Sequence, residues 1–275
     1  MRNVAEPRRD SSIAIGALVI ACISLLGPRA ASAAAGGWEF EIAPYLWLSE
    51  VHGSVSAKNR TANIDIDFSD IFDALGAGDL LNLAGHFEAR HEKLALFYDA
   101  DGILARDQNG GPDFNAKVKS MLVFFEFGGA YRIIGQPPSV GATGLGSFWL
   151  EPLFGVRYTH NKNKFDVRVG QETTDFDGTT NFADPFLGGR LGFQIIKDLG
   201  WSFRGDVAPF GTGAEPGAWQ IQSYFRYLLP WTENCSVKWD VIAGYRLLHF
   251  DRKPGNRVEA DYTFRGPVIG FSARF

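Results

Sequence analysis

Cysteine is nearly absent from this 275-residue chain. Of its two, Cys22 lies in an N-terminal apolar run and Cys235 stands alone, so no intramolecular disulfide holds the mature fold. Positive charge is also scarce. Against 31 Asp and Glu there are 27 Lys and Arg, for a net charge of −4, which argues against a nucleic-acid partner. Past residue 26 no apolar run approaches the roughly 20 residues of a membrane-spanning helix. Nothing in the sequence implies a cofactor, an internal repeat or a second domain. What the chain has in abundance is glycine and aromatics, with 32 Gly and 23 Phe.

The first 33 residues read as a secretory signal peptide, with the mature domain at 34–275. Arg2, Arg8 and Arg9 form a basic start, residues 13–26 an apolar core, and Ala31-Ser32-Ala33 a small-x-small cleavage site. Val19-Ile20-Ala21-Cys22 is similar to a lipoprotein cleavage box, but the apolar run continues past Cys22 and favours the later site. Loss of 1–33 removes four basic and two acidic residues, leaving 23 against 29, a net charge of −6.

The mature chain alternates. In the last stretch, Ile269, Phe271, Ala273 and Phe275 share one strand face and Ser272 and Arg274 the other. The pattern recurs over about ten segments: 38–48, 80–90, 94–104, 116–134, 147–159, 185–197, 201–210, 218–229, 235–250 and 259–275. One face carries Leu, Phe, Tyr and Trp; the other carries Arg, Glu, Asp and Gln. A soluble sandwich or lipocalin-like barrel would bury the apolar face, and so many charges are costly in a dry core. A membrane barrel turns the apolar face to lipid and keeps a polar lumen. The expected fold is therefore all-β, a closed antiparallel up-and-down transmembrane β-barrel of about ten strands, with eight or twelve as alternatives.

Short links at 91–93, 198–200 and 230–234 alternate with mostly longer, more polar ones; the Gly/Pro-rich link 135–146 is the exception. Aromatics fall into two bands. Trp38, Tyr131, Phe148, Trp149, Trp201, Tyr227, Trp231 and Phe275 are expected at the periplasmic girdle, and Trp47, Tyr158, Phe210, Trp219 and Tyr262 at the outer one. Pro44 is expected at a bulge. Tyr262 and Phe264 are out of parity with Phe271, so Gly266-Pro267 is expected to hold another. The segment 49–79 suggests a short hairpin around residues 58–60, then a helix over 69–75 capped by Ser69.

The closing strand resembles the C-terminal signal of bacterial outer-membrane barrels, in which the final Phe is read during assembly; Phe275 takes that place. Trp38–Trp47 with its Pro44-Tyr45-Leu46-Trp47, then Gly53-Ser54-Val55, Asp65-Ile66-Asp67-Phe68-Ser69-Asp70-Ile71-Phe72 and Gly85–Arg90, resembles a family of uncharacterised proteobacterial outer-membrane β-barrel proteins. The resemblance covers the first third of the mature chain. It implies an outer-membrane location in a Gram-negative bacterium, with membrane lipid and the barrel assembly machinery as partners, and it transfers no activity.

The inward charges are Glu88, Arg90, Asp99, Glu126, Arg132, Glu151, Arg157, Arg190, Arg204, Asp206, Arg226, Asp240 and Arg246. Candidate pairs are Glu88 or Asp99 with Arg90, Glu126 with Arg132, Glu151 with Arg157, Arg204 with Asp206, and Asp240 with Arg246. They suit either a selective constriction for a small solute or ion, or a salt-bridged plug, and a barrel this narrow favours the plug. The function expected is a structural or small-solute role without catalysis. The alternative is an enzyme acting on lipid A or on peptides at the outer rim. It draws on His160 and His249 there and His86 in the wall, but no Ser-His or Asp-His spacing supports it. Asp65, Asp67, Asp70 and Asp73 are candidate Ca²⁺ ligands, though without the spacing of an EF-hand, so a solvated acidic loop is favoured.

Overall fold

A computed structural model describes residues 37–57, 60–67, 69, 71, 80–111, 114–135, 147–169, 172–209, 217–252 and 259–275. The signal segment 1–33 lies outside them. The strands are β1 (Trp38–Trp47), β2 (Glu50–Ala57), β3 (Arg60–Ile66), β4 (Leu80–His91), β5 (Leu94–Gly111), β6 (Phe114–Tyr131), β7 (Ile134–Gly135), β8 (Phe148–Val169), β9 (Glu172–Ile196), β10 (Leu199–Ala208), β11 (Ala218–Leu228), β12 (Lys238–Arg252) and β13 (Glu259–Arg274). All pairings are antiparallel between neighbours, and β1 also pairs β13, which closes the sheet into a ring.

β1 and β2 run along β13 in one register, Trp47 opposite Val268 and Glu50 opposite Arg265, so they form a single wall strand. With β3 paired to β2 alone and β7 a two-residue tag on β8, the barrel has ten wall strands. Phe40 and Phe275 exchange both backbone hydrogen bonds, at 2.8 and 3.0 Å, and their rings stack at 5.8 Å.

The alternation sorts side chains as lipid requires. Along β5, Leu94, Leu96 and Tyr98 are exposed while Ala95, Phe97 and Asp99 are buried. Phe127 is 63% and Phe154 67% exposed, whereas Glu126 and Arg157 beside them are fully buried. A fold that exposes its phenylalanines and buries its arginines needs an apolar surround, and this one is an outer-membrane β-barrel.

Turns obey the sequence. Glu92-Lys93 joins β4 to β5, with Glu92 at φ 51°, a left-handed geometry that glycine adopts more readily. Lys197-Asp198 joins β9 to β10, and a 3-10 turn at Pro230–Thr232 leads from β11 toward β12. These links and both ends of the barrel chain lie at one mouth, taken as periplasmic.

Several expectations are corrected. β5, β6, β8 and β9 run well beyond the alternating segments, as two tall hairpins. Past the lipid neither face has to be apolar, so the strand continues where the pattern stops. Pro44 sits in register opposite Gly85 without a bulge, and its missing N–H falls where the ladder to β13 skips two residues. β12 and β13 keep one register from Lys238↔Arg274 to Arg252↔Ala260, so no bulge forms at Gly266-Pro267. Phe264 simply points inward and is buried. Trp47, Trp149 and Tyr262 leave the girdles too. Trp47 is fully buried in the interior, Tyr262 packs on the interior cluster, and Trp149 lies on the inward face against Gly192. Of the helix expected over 69–75, the described part shows one helical hydrogen bond, Ile71 N–H to the Asp67 carbonyl at 3.3 Å; Phe210 and residues 70 and 72–75 lie outside the described residues.

Candidate functional site

Inward residues recur every second position, about 6.6 Å apart along a strand, so each wall strand carries its charges at successive heights. Residues six apart on one strand stand about 20 Å apart. That distance corrects three predicted pairs, Glu126–Arg132, Glu151–Arg157 and Asp240–Arg246. Asp99–Arg90 is corrected as well: Asp99 is taken by His86 and Arg204, and Arg90 by Glu88 and Glu151. The i, i+2 pairs Glu88–Arg90 and Arg204–Asp206 do form, at 2.7 and 3.0 Å. The other partners reach across the lumen.

At mid-height Glu126 is the hub. It accepts from Arg157 Nε at 2.8 Å, Arg204 Nη2 at 2.6 Å and Gln220 Nε2 at 3.0 Å, with Arg246 Nη2 at 3.4 Å. Asp206 takes the other ends of Arg157 (2.7 Å) and Arg204 (3.0 Å), and Asp99 a third N–H of Arg204 at 3.0 Å. Arg246 Nη1 donates to both oxygens of Asp101 at 2.8 Å, and the Tyr45 hydroxyl donates to Asp101 at 3.0 Å. These side chains come from β1, β5, β6, β8, β10, β11 and β12, so the lattice spans the lumen from wall to wall. Glu126, Arg157 and Arg246 have no exposed surface. Arginine faces lie on rings: Arg204 is 5.0 Å from the Phe97 centroid, Arg157 5.3 Å from Phe186 and Arg246 4.5 Å from Trp47. Gly128 and Gly155 make room for the rings of Phe97 and Phe186, because a Cβ at either would meet the ring at 2.5 Å.

Outward of this lattice lies an apolar layer. Phe124 stacks on Phe250 at 5.1 Å, Phe264 meets both edge-on, and Trp47 and Leu248 complete it.

Toward the periplasmic mouth the lumen stays open. A chamber of about 570 Å³ is lined by residues from Gly37, Glu39 and Phe275 at its rim to Tyr45, Asp99 and Arg204 at its end. One side holds a cluster. Arg90 bridges Glu88 and Glu151, both at 2.7 Å, Arg190 bridges the same two at 2.5 and 2.6 Å, and Arg132 adds a bond to Glu151 at 3.2 Å. The other side holds Arg226, bidentate on Glu41 at 2.8 and 2.6 Å, and Arg274 on Asp240 at 2.7 Å. His86 Nδ1 lies 2.6 Å from Asp99 and joins the chamber to the lattice. All thirteen inward charges predicted from sequence thus sit in the lumen, in two connected layers.

Sequence parity turns Glu41, Asp101 and Gln220 inward without counting them in the site, and it missed Tyr45 and Tyr224 as members. Parity was the available signal there too, since Tyr45 shares its face with Glu41 on β1 and Tyr224 with Arg226 on β11.

At the outer rim, β2–β3 pairing brings His52 to Asp65 at 2.5 Å. Donor atoms of His52, Asp65 and Asp67 lie within 4.8 Å of one another, so these three could share a cation, with a nitrogen in place of the all-oxygen set expected. Asp70 and Asp73 lie outside the described residues. His160 Nδ1 is engaged by Asn181 at 2.7 Å. His249 Nδ1 faces both Thr263, at 3.0 Å, and Asp261, at 3.8 Å. A base that relays a proton uses one nitrogen for the nucleophile and the other for the orienting acid; here both partners crowd the same nitrogen.

No family model matches the chain, and no curated protein matches it. Among solved structures the chain is similar to the outer membrane protease OmpT of Escherichia coli (8% identity, 86% of this chain and 96% of that one, TM-score 0.46). It is also similar to Ail, the attachment invasion locus protein of Yersinia pestis (11%, 86% and 99%, 0.34), and to the translocator domain of the autotransporter NalP of Neisseria meningitidis (15%, 94% and 98%, 0.34). The ring closure and inverted burial of this chain are, on their own geometry, those of an integral outer-membrane β-barrel.

Proposed function

We propose that this barrel is sealed and non-conducting, a stable membrane scaffold with a blind chamber open to the periplasm. The observation that carries the reading is the complete burial of Glu126, Arg157 and Arg246 in a lattice anchored on opposite walls. An ion crossing would have to break several charge-assisted hydrogen bonds at once, then pass a stacked Phe layer that offers no polar group. The rim histidines give an enzyme no comparable support.

The test is single-channel recording of refolded protein in a planar bilayer, with insertion verified by heat-dependent gel migration. Wild type is expected to be silent, and so is Arg226→Ala, which lies in the chamber. A combined Phe124→Ala and Arg246→Ala variant, which truncates both sealing layers, is expected to conduct. Steady wild-type conductance with ion selectivity would overturn the proposal in favour of a pore.

A further inference from the structure

We infer that the periplasmic chamber binds a small organic anion, a carboxylate or phosphate carried on an apolar body. The inference goes beyond the sealed scaffold, which needs no ligand. A barrel that required only a plug would fill its lumen throughout. Here the outer half is packed to zero exposure at Trp47, Phe124 and Leu248, while the periplasmic half keeps about 570 Å³ empty, within the range of small-molecule pockets.

Hydrogen-bonding capacity in the chamber is one-sided. Its inner carboxylates are fully engaged. Glu41 accepts from both Arg226 nitrogens and from Ser272, Glu88 from Arg90 and Arg190, and Asp99 from His86 and Arg204. Donors are left over. Arg226 carries five N–H groups, of which two go to Glu41; Asp240 stands 3.8 Å from Nη1, and the side chain is still 30% accessible. Tyr224, two residues along the same inward face, brings a second donor, its hydroxyl, to the chamber lining. The remaining lining carboxylate, Glu39, lies exposed at the rim, so an anionic head deeper in the chamber would take the N–H groups left over at Arg226.

The wall beside those donors is apolar. Ile242 pairs directly with Arg226 across β11–β12, and buried Val268 and Tyr45 continue the surface onto β13 and β1. A head group at Arg226 and Tyr224 would therefore lay its body along Ile242 and Val268. A bare inorganic anion would leave that surface uncovered, and a cation at that depth would meet carboxylates already held by arginines.

The test is calorimetric titration of the refolded mature protein in lipid nanodiscs with phenylbutyrate, with phenylbutylamine, and with acetate. Phenylbutyrate is expected to saturate a single site, with the amine and acetate weaker by about tenfold or more, the loss expected when a charge-assisted hydrogen bond or the apolar contact is missing. Arg226→Gln should weaken phenylbutyrate by about tenfold, and Tyr224→Phe, which keeps every ion pair and guards against misfolding of the first variant, by a few-fold. His160→Ala, at the opposite end, should leave affinity unchanged. Equal binding of carboxylate and amine, no saturable binding, or indifference to both chamber substitutions would overturn the inference. Conductance of the same samples is read separately. A barrel that conducts and binds would sink the seal alone, and a silent barrel that binds nothing would sink the ligand alone.

Discussion

Replacing Glu126 with alanine removes the one carboxylate that three guanidiniums and an amide share. Breaking a buried ion pair by deleting one partner costs about 3–5 kcal/mol, because the opposite charge is left without compensation in a low-dielectric site. The cations here are not fully abandoned. Arg157 keeps Asp206, Arg204 keeps Asp99 and Asp206, and Arg246 keeps Asp101. That redundancy places the expected loss at the lower end, about 3 kcal/mol. Glu126→Gln preserves shape and one acceptor oxygen and should cost less, about 1–2 kcal/mol. The assay is urea unfolding in lipid vesicles followed by tryptophan fluorescence. Trp47 is a local reporter, since its ring lies 4.5 Å from the Arg246 guanidinium carbon. A loss below about 0.5 kcal/mol for Glu126→Ala, the range of an ordinary surface substitution, would mean that water reaches the lattice and that the lumen is not dry.

Gly128→Val should destabilise the barrel by about 1–3 kcal/mol or stop it forming, because the first added carbon meets the Phe97 ring at 2.5 Å and the Phe154 carbonyl at 2.6 Å; equilibrium unfolding reads this. Glu92→Gly should be neutral or stabilising by up to about 1 kcal/mol and Glu92→Val destabilising, since the position sits at φ 51°; the same unfolding curves separate them. Lys197, on a periplasmic turn, is held above the ordinary lysine value by its hydrogen bond to Glu233 at 2.8 Å. Its contribution is complete below the unfolded lysine pKa and fades as pH climbs through the raised folded one, so Lys197→Met should flatten stability against pH only above about pH 10.

Much of the wall was legible because lipid imposes a strict period of two and turns punctuate it. Leu94, Leu96 and Tyr98 announce their side of β5 from sequence alone. Trp47 shows where the reading slipped. Counted from Trp38, Phe40 and Ile42, position 47 falls on the inward face, yet its place near a strand end suggested the girdle. The partners within the lumen were not legible for a deeper reason. Sequence gives the height and facing of a charge on its own strand, whereas Glu126 finds Arg204 and Gln220 on strands elsewhere in the ring, 78 and 94 residues away. The chamber was invisible for the same cause: an empty space is the difference between filled heights, and no residue spells it.

The ladder between Glu41 and Arg274 joins the first wall strand to the last, and Ser272 reaches back 231 residues to Glu41. A ring whose seam lies between its first and last strands cannot shut until β13 has reached β1. Until then, arginines and carboxylates destined for the interior face whatever medium surrounds the open sheet. Loop closure over such a span is slow and entropically unfavourable. Closing that seam thus also converts a curled sheet with charges on show into a particle the bilayer tolerates. Phe275, stacked on Phe40 at that seam, marks where the first wall strand meets the last and the sheet becomes a ring.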